Sequence, residues 1–253
     1  MLFEHLTCRN VIRTQNGEAR MTIGQDINIM NKHKEAFCKI VSGKIPARIA
    51  EQIYGEAAIN TTIKFQCLDN IREYHPPRSL TEKAWLENDA VMVFIPSREA
   101  SSGGHHISKV SVEIKTELED LLKDDKMELY VGATEYMFLA VPSMLILPAI
   151  KRLEYKAEYE GQIGLIDFSE GEIVIMPTVN RDYDRVRSAQ LMSSCFLTRK
   201  RFDQDDPIYQ IHNLTLLNNT NQEFVFFDNR LVNKKYLSLF KAQKYINRKK
   251  TII

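Results

Sequence analysis

The chain has 253 residues, of which 44% are hydrophobic and 26% charged, and its formal net charge is +1. These proportions are those of an ordinary globular protein and exclude a collagen-like, low-complexity or wholly disordered chain. No stretch approaches the roughly 18 apolar residues of a membrane span, and the N-terminus lacks a secretory pattern. The four cysteines are widely spaced and include no Cys-x-x-Cys pair. We expect a soluble, cytoplasmic protein with free thiols and no membrane partner.

The first part of the chain is predicted to hold a lead-in, two helices and a strand. Residues 1–31 carry no sustained periodicity, so we expect a poorly ordered segment there. Between residues 32 and 54 apolar residues recur at helical spacing, and Gly43 and Pro46 interrupt them, which favours two short helices. Residues 61–67 alternate weakly between apolar and polar, which predicts a strand.

The densest pattern runs from residue 89 to residue 176 and predicts a central sheet. The β-rich run 89–95 and the alternating run 110–115 indicate two neighbouring strands joined by a flexible excursion. Alternation in the second run places three apolar side chains on one face and three polar ones on the other: Val110, Val112 and Ile114 against Ser111, Glu113 and Lys115.

A helix and three more strands are predicted after this pair. Thr116 at the N-cap and Glu119 at the third helical position make a capping box. The helix is expected to bury a leucine stripe, formed by Leu118, Leu121, Leu122 and Leu129. Residues 136–141 predict a strand stopped by Pro142, and residues 164–176 a hairpin. The order predicts a mixed central β-sheet flanked by helices, hence an α/β or α+β fold.

The C-terminal part of the chain is basic. Residues 181–253 hold 14 Lys/Arg against 7 Asp/Glu, whereas the rest of the chain holds 20 against 26. A helix over 185–197 and a strand over 223–227 are predicted there. The basic residues nearest the end stand among aromatic ones, which suits phosphate contact with base stacking, although a solvated tail explains them equally well. The candidates for nucleic-acid contact are Lys234, Lys235, Arg248, Lys249 and Lys250.

Two acidic residues and a lysine form the candidate reactive group. Glu113 and Lys115 share one strand face, about 7 Å apart along it. If Asp89 begins the neighbouring strand, its carboxylate can approach that of Glu113, and a hard cation such as Mg²⁺ would relieve their repulsion. A lysine beside that ion can orient or deprotonate a water, or stabilise charge on phosphorus. The pattern suits metal-assisted phosphodiester hydrolysis, and a solvated pair on an edge strand is the simpler alternative.

Several short pieces between residues 85 and 177 share an order and spacing with a known family: Val112-Glu-Ile-Lys-Thr116, Asp120, Asp124-Asp-Lys126, Tyr136-Met-Phe-Leu-Ala-Val-Pro142 and Gly164-Leu-Ile166. They resemble the PD-(D/E)xK nuclease superfamily, most nearly its MmcB-like branch of bacterial DNA-repair proteins. The resemblance implies a restriction-endonuclease-like core, with Asp89 and Glu113 as ligands of Mg²⁺ or Mn²⁺ and Lys115 as the catalytic lysine. It implies supporting positions around that site at Asp120, Asp124 and Lys126. For the acid that the superfamily often adds from its first helix, the candidates are Glu51 and Glu35.

Taken together, the sequence pattern and the resemblance, which covers roughly residues 85–177, predict three parts: the lead-in 1–31, a nuclease-like domain over 32–180, and a helical, basic extension over 181–253. The resemblance also implies a metal-dependent nuclease that cuts DNA in repair or in processing mobile or foreign DNA. A catalytically inactive protein on the same fold, acting as a nucleic-acid binder or scaffold, is the alternative. Residues 37–51 resemble the opening of histidine triad nucleotide hydrolases, but the His-x-His-x-His motif of that family is missing.

Overall fold

The computed structural model describes ten stretches of the chain: residues 23–42, 44–55, 62–74, 85–96, 107–124, 127–154, 161–180, 184–199, 210–215 and 223–250. Nine strands lie within them: β1 (Thr62–Tyr74), β2 (Trp85–Pro96), β3 (Ser108–Ile114), β4 (Tyr136–Val141), β5 (Ile163–Asp167), β6 (Glu172–Met176), β7 (His212–Thr215), β8 (Phe224–Phe227) and β9 (Arg230–Asn233). The α-helices of these stretches are α1 (Ile23–Ser42), α2 (Ile45–Tyr54), α3 (Leu118–Lys123), α4 (Met127–Tyr130), α5 (Ile146–Glu154), α6 (Arg185–Arg199) and α7 (Leu237–Lys250).

All nine strands pair into one mixed sheet, in the order β7-β1-β2-β3-β4-β5-β6-β9-β8. The pairs β3–β4 and β4–β5 are parallel, and the other neighbours are antiparallel. Helices α3, α4 and α5 lie in the connections between the parallel strands, as a parallel pair requires. The predicted mixed sheet flanked by helices is therefore confirmed.

Apolar side chains on both faces of the sheet hold the helices against it. On one face α1 packs on β3 and α2 packs on β6. Val110, Val112 and Ile114 of β3 belong to the same buried cluster as Ile40 of α1 and Ile49 of α2. On the other face α4, α5 and α7 share a second buried cluster with β4 and β5. A third cluster holds α6 against β1 and β2. Burying a side chain such as Ile49 contributes roughly 1.5–3 kcal/mol, so these clusters fix where each helix lies.

The predicted helix after β3 differs from the structure in its cap and its stripe. The N-cap of α3 is Glu117 in an extended conformation, and no side chain caps the helix, so the Thr116–Glu119 capping box is wrong. Leu121 is buried, whereas Leu118 and Leu122 are exposed. The reason is length, because a six-residue helix presents only about one residue per turn to the core.

The structure bears on two of the segments drawn from the sequence. Helix α1 begins at Ile23, inside the segment 1–31 that was expected to be poorly ordered, and residues 1–22 lie outside the described stretches. The segment 181–253 is not an appendage, because β7 pairs with β1 and β9 pairs with β6. Such short strands carry little periodic signal, and their partners are distant in sequence. Within the described stretches no helix combines the length and hydropathy needed to span a bilayer.

Candidate metal and catalytic site

Asp89 and Glu113 meet at the edge of the sheet where β3, β4 and β5 end. The antiparallel register of β2 and β3 pairs Ala90 with Val112, so Asp89 and Glu113 follow one step beyond on the two strands. The Asp89 carboxylate accepts a hydrogen bond of 2.7 Å from the backbone N–H of Ile114. Asp89 lies inside β2 rather than at its start, because β2 begins at Trp85. The structure thus brings the two predicted acids together.

Lys115 is the centre of a buried ion-pair network at this edge. Its ammonium lies 2.8 Å from Glu113 Oε1, 3.1 Å from Asp124 Oδ2 and 3.5 Å from Asp120 Oδ1. Its side chain is 9% exposed, so the pairs with Glu113 and Asp124 are shielded from water. Burial lowers the pKa of Lys115, but the nearby carboxylates, Glu113 first among them, outweigh this and raise it above its ordinary value. Lys115 therefore remains an ammonium at neutral pH.

The surroundings of Glu113 disfavour its charged form. Burial, and then the negative charge of Asp89, raise the pKa of Glu113 well above its ordinary value, although Lys115 acts in the opposite direction. Its Oε1 accepts from Lys115, whereas its Oε2 is buried and accepts no hydrogen bond from any described residue. A buried acceptor without a donor is uncommon in folded proteins, so this oxygen is suited to coordinate a cation or to accept from a water.

His33 on α1 is a site residue that the sequence reasoning missed. Its Nε2 lies 3.3 Å from Asp89 Oδ2. Burial lowers the pKa of His33, but the hydrogen bond and charge of Asp89 more than compensate and raise it above 6.5. The sequence does indicate that His33 faces inward. It precedes the buried residues Phe37 and Ile40 by four and seven positions, and this spacing puts it on the buried face of the helix.

The acids proposed for the first helix do not take that position. Glu35 forms an exposed ion pair with Lys39, one turn along the same helix. Burial raises the pKa of Glu51, which is opposed by the charge of Arg48 rather than by any group of the site. The residue that reaches the site from α1 is therefore a histidine and not an acid.

Tyr130 and Arg152 also border the site. Tyr130 is buried, its hydroxyl donates to the Glu87 carbonyl at 3.2 Å, and its pKa is raised by burial and then by the charge of Glu113. The guanidinium of Arg152 on α5 donates to the backbone carbonyl of Asp124. Both come from the α4 and α5 connections, whose fold over the edge was not visible in the sequence pattern.

The predicted supporting and nucleic-acid-binding residues are placed unevenly. Asp120 is exposed and Asp124 is buried, although they stand one turn apart, and Lys126 lies outside the described residues. Lys234 forms an exposed pair with Glu223, and Lys235 with Glu170. The side chains of Arg248, Lys249 and Lys250 also lie outside the described residues, although their backbone belongs to α7.

Lys235 is on the same edge of the sheet as the acids. Its partner Glu170 follows β5 directly, and the Glu170 N–H donates to Asp167, the last residue of β5. Because β3, β4 and β5 are parallel neighbours, their carboxyl ends share one edge, with strands about 4.8 Å apart. Lys235 therefore stands about two strands along this edge from Glu113.

The donor set fits a hard divalent ion with few protein ligands. Asp89 and Glu113 supply carboxylate oxygens. The Oε2 atom of Glu113, which accepts no hydrogen bond from the described residues, is suited to a cation. Among the residues that the structure describes, no group of three or more His, Cys, Asp or Glu side chains could hold a metal ion. An ion here would complete its shell with waters and substrate oxygens, as Mg²⁺ commonly does.

Comparisons with known proteins add little. No family model matches the chain, and no curated protein matches it. A solved structure described as "SPO1766 protein of unknown function from Silicibacter pomeroyi" is similar to it at 19% identity and a TM-score of 0.33, over 58% of this chain and 86% of that chain. This likeness is too weak to bear on the fold or the function of the chain.

Proposed function

We propose that the chain is a divalent-metal-dependent nuclease that hydrolyses DNA phosphodiester bonds on a restriction-endonuclease-like core. The observation that carries the proposal is the meeting of Asp89, Glu113 and Lys115 at one edge of the sheet. A bound Mg²⁺ or Mn²⁺ would supply Lewis-acid chemistry at phosphorus there. We assign the protein to DNA repair or to the processing of mobile or foreign DNA in the cytoplasm, on the resemblance to the MmcB-like branch.

In this proposal each residue of the site has one role. Asp89 and Glu113 would hold the ion, and the backbone N–H of Ile114 fixes the orientation of the Asp89 carboxylate. Lys115 stays protonated, so it is suited to stabilising negative charge on the phosphate rather than to accepting a proton. Asp124 and Asp120 keep the ammonium in place.

The basic residues of the C-terminal part would hold the substrate. Lys234 and Lys235 are exposed, and exposed ion pairs contribute little, so their carboxylate partners can be exchanged for DNA phosphates. Lys235 also stands on the edge that carries the acids, and its amine lies 5.6 Å from the centre of the Tyr236 ring. A DNA backbone that follows this edge would reach both the acidic site around Glu113 and Lys235. Arg248, Lys249 and Lys250 would extend the contact.

The test is cleavage of single- and double-stranded DNA with Mg²⁺ or Mn²⁺ by wild type, Glu113→Gln and Lys115→Arg. Gln keeps the shape of Glu113 and Arg keeps the charge of Lys115, so both variants should fold and lose cleavage by roughly a hundredfold or more. Glu119→Gln is the matched control, because Glu119 is exposed and its ion pair is with Lys123, one turn along the same helix. Cleavage at the wild-type rate by both site variants would remove the active-site assignment.

A second candidate is a nucleic-acid-binding or scaffold protein that has lost catalysis. It is favoured by the complete pairing of Lys115, whose charge is compensated within the fold by Glu113 and Asp124. Such a protein would bind DNA with a steep salt dependence and show no metal-stimulated cutting.

A further inference from the structure

Lys115 has two buried carboxylate partners, and only one of them is a candidate metal ligand. Its ammonium is 2.8 Å from Glu113 Oε1 and 3.1 Å from Asp124 Oδ2. A divalent ion on Glu113 would place like charges on one carboxylate, because the ammonium already occupies its other oxygen. An ion and Lys115 therefore compete for Glu113 unless the lysine has another partner.

Asp124 is better placed than Asp120 to be that partner, because it is closer to the amine and more deeply buried. The Asp124 side chain is 6% exposed, whereas that of Asp120 is 58% exposed and 3.5 Å from the amine. The backbone of Asp124 is fixed twice, since its N–H donates to the Asp120 carbonyl and its own carbonyl accepts from Arg152. A buried carboxylate on a fixed backbone cannot turn toward water, so a cation beside it offsets the cost of burying its charge.

We propose that Asp124 is a positioning residue that takes over the Lys115 ammonium when Glu113 binds a divalent ion. The inference rests on the proposed function, because it assumes that Glu113 is a metal ligand. Lys115 would release Glu113 Oε1 and keep its ion pair with Asp124, so the amine stays at the site without opposing the ion. Arg152 supports this role by holding the backbone of Asp124 in position.

The first experiment compares Mn²⁺ affinity by calorimetry in wild type, Asp124→Asn and Asp120→Asn. The two variants remove the same charge from the same helix region at similar distances from the amine. Asp124→Asn should weaken Mn²⁺ binding by about tenfold or more, because Glu113 is then the one buried carboxylate described beside Lys115. Asp120→Asn should weaken it by no more than about threefold, as expected of an exposed charge. Equal effects in the two variants would overturn the proposal.

A second comparison separates a transfer of the lysine from a simple loss of charge. In a Lys115→Gln background there is no ammonium to transfer, so Asp124→Asn should weaken Mn²⁺ no more than Asp120→Asn does. If Asp124→Asn keeps its full effect without Lys115, the charge acts directly on the ion and the proposal fails. Should the Lys115→Gln proteins not fold, the comparison in the wild-type background still decides.

A spectroscopic readout follows the amine itself. With ¹⁵N-labelled lysines, saturating Mg²⁺ should shift the Lys115 ammonium signal of wild type while keeping it protected from exchange with water. In Asp124→Asn the same addition should abolish that protection, whereas a merely structural Asp124 would leave it unchanged. Wild type that binds no Mn²⁺ or Mg²⁺ would remove the proposed function together with this inference. Wild type that binds the ion without dependence on Asp124 would remove the inference alone.

Discussion

Replacing Glu113 by Gln should stabilise the protein in the absence of divalent ions. The pKa of Glu113 is raised well above its ordinary value of 4.5, by burial and then by the charge of Asp89. The folded state therefore binds a proton that the unfolded chain has lost, so wild-type stability falls as the pH rises above 4.5 through the folded pKa. Gln is neutral at every pH and can still accept a hydrogen bond from Lys115. The stability of the variant should therefore not fall with pH in this way.

The ordinary pKa of a glutamate side chain, 4.5, sets an upper limit on the free energy of unfolding that Glu113→Gln can gain. Neutralising a carboxylic acid three pH units above its pKa costs about 4 kcal/mol, so the gain at pH 7.5 cannot exceed that figure. At pH 5.0 the same reasoning allows no more than about 1 kcal/mol. We expect a stabilisation of roughly 1–4 kcal/mol at pH 7.5, which raises Tm by about 2–4 °C for each kcal/mol in a chain of this size.

The assay is urea denaturation in EDTA at pH 5.0 and pH 7.5, for wild type, Glu113→Gln and Glu119→Gln. Glu119 is exposed, and its pKa is lowered by the bond to Lys123, so Glu119→Gln should not show a gain that grows with pH. A Glu113→Gln variant that is less stable than wild type at pH 7.5, by the same amount as at pH 5.0, would refute the electrostatic description of this site.

Three further predictions address the core, the histidine and the DNA contact. Gly164→Ala should lose about 1–3 kcal/mol of unfolding free energy in urea, because the added Cβ would lie 2.5 Å from the buried Phe138 ring. In metal-free buffer, NMR titration should give His33 a pKa above 6.5 that falls in Asp89→Asn. That ion pair should stabilise the fold fully below pH 6.5 and be lost as the pH rises through the folded pKa. Lys235→Ala should weaken DNA binding and reduce the salt slope by about one.

Each of these predictions has an outcome that contradicts it. Wild-type stability in Gly164→Ala would mean that the contact between β4 and β5 is looser than described. If the pKa of His33 is the same in Asp89→Asn as in wild type, the proposed ion pair between His33 and Asp89 is wrong. For DNA binding the control is Lys39→Ala, which removes a comparable exposed ion pair with Glu35. An equal change of slope in both lysine variants would remove Lys235 from the proposed contact.

The sequence pattern was most informative where alternation and burial agree. In β3 every second residue is apolar, and those residues face α1 and α2, so Glu113 and Lys115 had to share the other face. The hairpin of β5 and β6 and the strand β4 carried similarly strong signals, because each is a buried run bounded by turn residues. Local patterns of this kind need no knowledge of distant contacts.

Distant contacts explain what the pattern left out. His33 reaches Asp89 only because α1 packs across β3, and nothing near residue 33 indicates that packing partner. Asp124 and Asp120 look equivalent along the helix, yet α5 covers one of them and leaves the other in water. Strand β9 joins the sheet through β6, 54 or more residues earlier in the chain.

The most direct test of the account is a crystal of the protein soaked in Mn²⁺ and measured at the manganese absorption edge. We predict an anomalous peak within coordination distance of both the Asp89 and the Glu113 carboxylates, with Lys115 still beside them. Ordered Asp89 and Glu113 side chains with no peak between them, at an ion concentration that saturates any cleavage activity, would contradict it.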